Sequence, residues 1–229
     1  MEFFSNLFNL LNEFKGLLLV STWQTLYITL ISTLIAYLLG IPLGIWVVST
    51  APNSIAPNRP VHEFMSRIIN IGRSIPFIIL LVALLPVTRM LVGTTIGPTA
   101  TIVPMTIAAV PFVARMIEQS LVEVDNGLIE MGQAMGATSF QIIFKVLLTE
   151  SLPSIIRGIS ITIINLIGYS AMAGAVGGGG LGDLAIRYGY HRRQTDIMMV
   201  TIVLLILVVE VIQMGGNAIA SKIDKRNVH

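Results

Sequence analysis

Long apolar stretches alternate with short polar breaks along this 229-residue chain. About 20 residues of α-helix cross a bilayer, and on that measure the pattern predicts five spans, over residues 17–48, 68–87, 102–117, 155–176 and 197–220. Residues 49–62, with Pro52, Pro57 and Pro60, part the first from the second, and residues 93–98, with Gly93, Gly97 and Pro98, part the second from the third. Between the third and fourth lies a polar stretch, residues 118–145, that reads as a helix, a glycine corner and a second helix. Asp125 or Asn126 is placed to cap the first helix, Gly136 to end it in the left-handed conformation, and Thr138 with Gln141 has capping-box spacing for the second. The fold expected is all-α: one polytopic membrane domain over residues 1–229 with five transmembrane helices and a helical segment at 118–145.

Composition narrows the function. Apolar residues make up 54% of the chain and charged residues 11%, with mean hydropathy +0.83, where a soluble domain carries about 25% charged residues. The net charge of +2 gives no reason to expect nucleic acid. Without cysteine there is no disulfide and no thiolate chemistry. Glu2 and Glu13 replace the basic cluster of a signal peptide, so the first span is expected to stay. With the N-terminus outside, the inner regions hold Arg59, Arg67, Arg73, Arg115, Lys145, Arg157, Lys222, Lys225 and Arg226, and the outer ones Lys15, Arg89, Arg187, Arg192 and Arg193. That bias predicts N-out and C-in and puts residues 118–145 in the cytoplasm. The Arg192–Arg193 pair runs against it.

The cytoplasmic segment is built to be gripped by a partner. A helix lying on headgroups wants Lys and Arg along its polar face, yet no basic residue stands between Asp125 and Lys145. Glu130, Met131, Gly132, Ala134, Met135, Gly136 and Ala137 are the candidate coupling residues, the small ones letting a foreign surface approach the backbone. The order Glu130, Gly136, then Leu148 resembles the cytoplasmic motif of binding-protein-dependent ABC importer permeases, with Glu130 and Gly136 in register and departures at Met131, Gly132, Val146 and Thr149. Residues 73–77 (Arg-Ser-Ile-Pro-Phe), 92–97, 111–115, 168–172 and 177–182 look like those of methionine-importer permeases, from about Trp23 to Lys222. The resemblance implies a multi-pass protein of a bacterial inner membrane and a homodimer. It also implies two copies of a cytosolic ATPase and an external, commonly lipid-anchored, methionine-binding protein; no cofactor is expected.

Inside the spans, Asn165, Tyr169, Ser170 and Met172 are candidates for a translocation path, since polar groups in hydrocarbon are costly unless used. Asn165, Tyr169 and Met172 share a helix face. Small residues predict close packing: Ala36, Gly40 and Gly44 in the first span, and Ser170, Gly174, Gly178 and Gly182 as one helix stripe. Residues 177–182 fit Gly-x-Gly-x-x-Gly, but no strand precedes them and Asp183 stands where a phosphate-binding Lys would be. His62 and Glu63 begin a zinc-protease motif that Ser66 breaks, and residues 168–172 lack the closing Gly of a nucleophile elbow. No Walker A sequence is present, so ATP hydrolysis falls to a partner. Two other readings are weighed: a gradient-driven transporter or channel using Glu210, and a membrane scaffold.

Overall fold

The computed structural model describes residues 2–224 except 53, with side chains from 12 onward. Lys225 and Arg226, counted above for orientation, and the Glu2 side chain lie outside the described residues. The described chain is helical, in the order α1 (Glu2–Thr50), α2 (Arg59–Ser74), α3 (Phe77–Ala83), α4 (Leu85–Val92), α5 (Pro98–Val122), α6 (Asn126–Ala134), α7 (Ser139–Gln141), a π-helical turn (Ile142–Leu147), α8 (Leu148–Gly174), α9 (Gly180–Leu184), a second π-helical turn (Ala185–His191) and α10 (Thr195–Ile223). Among the described residues four helical stretches are long and apolar enough to cross a membrane, or five if α2 and α3 together make one span.

The second predicted span is the one the structure alters. Ile75 (φ −81°, ψ 122°) and Pro76 (φ −58°, ψ 130°) are both extended, so helix stops at Ser74 and restarts at Phe77. Pro76 has no N–H to continue the α2 ladder and pushes Ile75 out of the α region. α2 itself is amphipathic: Met65 and Ile69 pack against Val47 and Ala114, Arg67 stands exposed on the opposite side, and Arg59 and Arg73 are exposed at its two ends. Asn58 caps it, accepting from the Val61 N–H at 3.3 Å.

Two compact units can be traced. One comprises residues 1–33, 76–106 and 163–212, the other 34–75, 107–162 and 213–229. In the first, Leu18, Leu181, Leu184 and Ile197 form a buried cluster, with Phe14, Leu17 and Tyr188 packed on it. In the second, Gly40 and Gly44 let α1 meet α5: a Cβ on Gly40 would stand 2.6 Å from Val113, and one on Gly44 2.7 Å from Ile117 and 2.8 Å from the Ala114 carbonyl. The same α1 face continues toward the N-terminus through buried Ser21, Thr25, Thr29, Ser32 and Ala36. Thr25, Thr29 and Thr33 hydroxyls donate to carbonyls four residues back, at 3.1, 2.8 and 2.7 Å. A helix can thus bury hydroxyls without a partner helix. α10 touches α8 where Gly216 meets Ser160, but most of its apolar length is not buried within the chain.

The predicted stripe Ser170, Gly174, Gly178, Gly182 does not lie on one helix. α8 ends at Gly174, and Gly177, Gly179 and Gly180 take φ of 81°, 79° and 80°, values that favour glycine. The chain turns back, so that Gly182 faces Ala171 and Gly174 faces Asp183 too closely for any side chain. Close packing is present, between two segments rather than along one.

Candidate functional site

The segment between α5 and α8 folds as its residue types dictate. Asp125 caps α6, accepting from the Gly127 N–H at 2.6 Å. At the other end Gly136, at φ 76°, turns the chain. The Ala137 N–H donates to the Gly132 carbonyl at 3.0 Å and the Gly136 N–H to the Gln133 carbonyl at 2.9 Å, the pair of bonds that defines a Schellman end. Thr138 then opens the next helix with both capping-box bonds: Gln141 N–H to Thr138 Oγ1 at 3.3 Å and Thr138 N–H to Gln141 Oε1 at 2.9 Å. The following π-helical turn buries Ile142 and Leu147 and runs without a break into α8. The turns of this corner are closed by hydrogen bonds of the segment itself, and helix continues from it into the start of α8.

The predicted coupling residues divide into two sets. Gly132 is buried, a Cβ there meeting Ile142 at 3.5 Å, so it serves packing within the segment rather than the approach of a foreign surface. Glu130, Met131, Ala134, Met135 and Gly136 are exposed, and Ala137 is half-buried. Space around Gly136 is open, with no atom within 4 Å of a Cβ. Pattern reading missed Phe140 and Phe144, whose rings lie 4.3 Å apart on the outer side. With Met131 and with Met135, at 74% exposure, they give a polar segment large exposed apolar groups. Their i, i+4 spacing was the available signal.

The roots of the segment are tied by polar contacts. Arg115 donates to both Glu118 oxygens at 2.8 Å, as their spacing in α5 predicts. Ser120 donates to Ser154 at 3.1 Å and Ser154 to Glu123 at 3.0 Å, joining α5 to α8. Arg157 donates to Asp224 at 2.8 Å, joining α8 to the residue after α10.

The candidate path residues on α8 are separated. Tyr169 stacks on Phe77, centroids 4.4 Å apart and planes within 2°. Asn165 is half-buried and Met172 is exposed. Ser170 leaves this group: it is 1% exposed, its hydroxyl finds no partner among the described residues, and it sits by Gly180. One residue after Tyr169 is a turn of about 100° around a helix, so Ser170 packs against the glycine turn instead. That turn is held by residues the pattern did not single out. Gln24 accepts from the Gly180 N–H at 3.0 Å and Thr25 from the Leu181 N–H at 2.9 Å, while Thr101 donates to the Gly178 carbonyl at 3.1 Å. Glu210 lies on the exposed face of α10. No group of potential metal ligands occurs among the described residues.

The described chain is thus a set of long apolar helices interrupted by an exposed, self-capped helical corner, the layout of a multi-pass membrane protein. The chain belongs to the family of binding-protein-dependent transport system inner membrane components, whose model matches residues 38–227. It is 53% identical to a probable D-methionine transport system permease protein of Vibrio cholerae over 93% of this chain and 94% of that one. It is 46% identical to a methionine import system permease protein of Bacillus subtilis over 77% and 80%. Its fold superposes on a chain of an inward-facing methionine ABC transporter with TM-score 0.91 at 46% identity, covering 93% of this chain and 99% of that one.

Proposed function

We propose that this chain is the membrane-spanning subunit of an ATP-driven importer that carries methionine into the cytoplasm, with its N-terminus outside and its C-terminus inside. Two copies share one pathway, two cytosolic ATPase subunits drive it, and an external binding protein delivers the amino acid. The observation that carries this reading is the corner from Asp125 to Gln141. Its backbone is satisfied internally, its outer side offers Met131, Met135 and Phe140, and it continues through Leu147 into α8. Flexible thioethers and aromatic rings on a hydrophilic segment suit a protein groove better than water.

In this mechanism the ATPases close on ATP and carry the two corners with them. α8 acts as a lever from Leu148 to Gly174, where the glycine turn receives the motion. ATP free energy enters as a difference in contacts between two states, inward and outward. Asn165 and Met172 are the α8 side chains assigned to the path, with the Tyr169–Phe77 stack as its wall. Selectivity is assigned mainly to the binding protein, because the stretch of α8 assigned to the path, from Asn165 to Gly174, offers neither a cation for a carboxylate nor an acid for an ammonium. The test is methionine uptake with ATP depleted while the proton gradient is held. Loss of uptake is expected; uptake that persists would favour a gradient-driven carrier. Native mass measurement should find two permease copies per working complex.

A further inference from the structure

The turn that joins α9 to α10 carries a patch the import cycle above leaves unused. Tyr190 is 67% exposed, and His191, Arg192 and Arg193 are exposed beside it. The patch is built rather than loose. Arg192 rests on the ring of Tyr188, its guanidinium carbon 4.3 Å from the centroid, and Tyr190 meets His191 edge-on at 5.4 Å. The Arg193 N–H donates to the Tyr190 carbonyl at 3.3 Å and the Gln194 N–H to the Tyr188 carbonyl at 3.2 Å. Arg193 has φ of 56°, the single non-glycine residue with positive φ among the described residues. Side-chain-bearing residues populate that region sparsely, and when held there they mark places where geometry is used. The neighbouring Arg187 is taken by Asp183, which leaves Arg192 and Arg193 as the cations the patch presents.

Charge placement gives the second line of argument. In the proposed topology this turn is external, and Arg192–Arg193 is the pair that opposes the positive-inside bias, so insertion is not what it serves. Anionic headgroups would be satisfied by mobile arginines and need neither a fixed backbone nor a stacked guanidinium. Tyrosine and arginine held rigidly in one exposed place are what protein contacts concentrate. We infer that Tyr190, Arg192 and Arg193 form a docking point for an acidic surface of the external solute-binding protein. This inference rests on the importer reading and names the residues that receive that partner.

The experiment uses the intact permease–ATPase complex in nanodiscs and the purified methionine-binding protein as probe. R192E/R193E should assemble with the ATPase at normal yield and associate with the binding protein about tenfold more slowly at low salt. The difference should shrink as salt screens the charges. Arg193→Gly, which removes one charge and suits the backbone, should lose a smaller factor; it keeps the test open if the double variant assembles poorly. Unchanged association in both variants would overturn the inference. A loss seen in discs with anionic lipid and absent in zwitterionic ones would assign the patch to lipid and overturn it too. A wild-type complex whose ATPase is indifferent to the binding protein would instead remove the importer reading, and this inference with it.

Discussion

Replacing Gly136 separates the geometry of the cytoplasmic corner from the surface it presents. Gly136 has φ 76° and donates to the Gln133 carbonyl, and no atom lies within 4 Å of where a Cβ would stand. In the isolated chain the cost of a side chain is therefore conformational and not steric. An L-residue in the left-handed region costs about 1–2 kcal/mol, and a β-branched one sits at the upper end or beyond. At about 2 kcal/mol the ratio of correctly turned to misturned corner falls about 30-fold. Asparagine tolerates the conformation, so Gly136→Asn should lose only a few tenths of that free energy. Gly136→Asp adds a charge where the partner is expected to close. The predicted order of ATPase copurification is wild type, then Asn, then Asp and Val, with uptake in vesicles falling in parallel and membrane insertion unaffected. The reasoning is refuted if the Asp and Val variants bring down the ATPase at wild-type yield and import normally.

Three further outcomes follow from distances in the fold. Gly44→Val should destabilise the detergent-solubilised protein by about 1–3 kcal/mol, since its Cβ alone would press Ile117 and the Ala114 carbonyl. Gly16→Ala, in open space, is the control, and a thermal-shift measurement that ranks the two alike would remove the packing argument. Thr25→Val leaves the buried Leu181 N–H without its acceptor, at about 1–3 kcal/mol, whereas Thr25→Ser should restore most of the loss in the same assay. Met172→Ala should alter the rate or the range of amino acids moved more than the amino acid captured outside. If methionine selectivity in vesicles survives removal of the binding protein unaltered, the permease holds a specific site of its own.

The corner was readable in advance because its determinants are local. Asp125, Gly136, Thr138 and Gln141 act within four residues of themselves, and each takes the predicted role. The spans were readable as apolar runs, apart from the second, where hydropathy averaged across Ile75–Pro76 and hid the break. The glycine run misled for a related reason. Spacing by four implies one stripe only if the helix continues, and positive φ at Gly177, Gly179 and Gly180 ends it. What pins that turn comes from Gln24 and Thr25, more than 150 residues earlier, and no periodicity links such positions. Gly132 shows the same limit on a smaller scale: its spacing in the motif was visible, but not that Ile142 would cover it.

The hydroxyls of α1 bear on how such a chain is made. Thr25, Thr29 and Thr33 each close on a carbonyl of their own helix, so the first span carries few open donors into lipid before any later span exists. When α5 and the glycine turn arrive, they meet a small-residue face whose threonine hydroxyls are already bonded, and the Leu181 N–H needs only the spare lone pair of Thr25 Oγ1. For these threonines insertion and assembly therefore do not compete for the same donors: the nascent helix can hold them in the bilayer before a partner helix arrives.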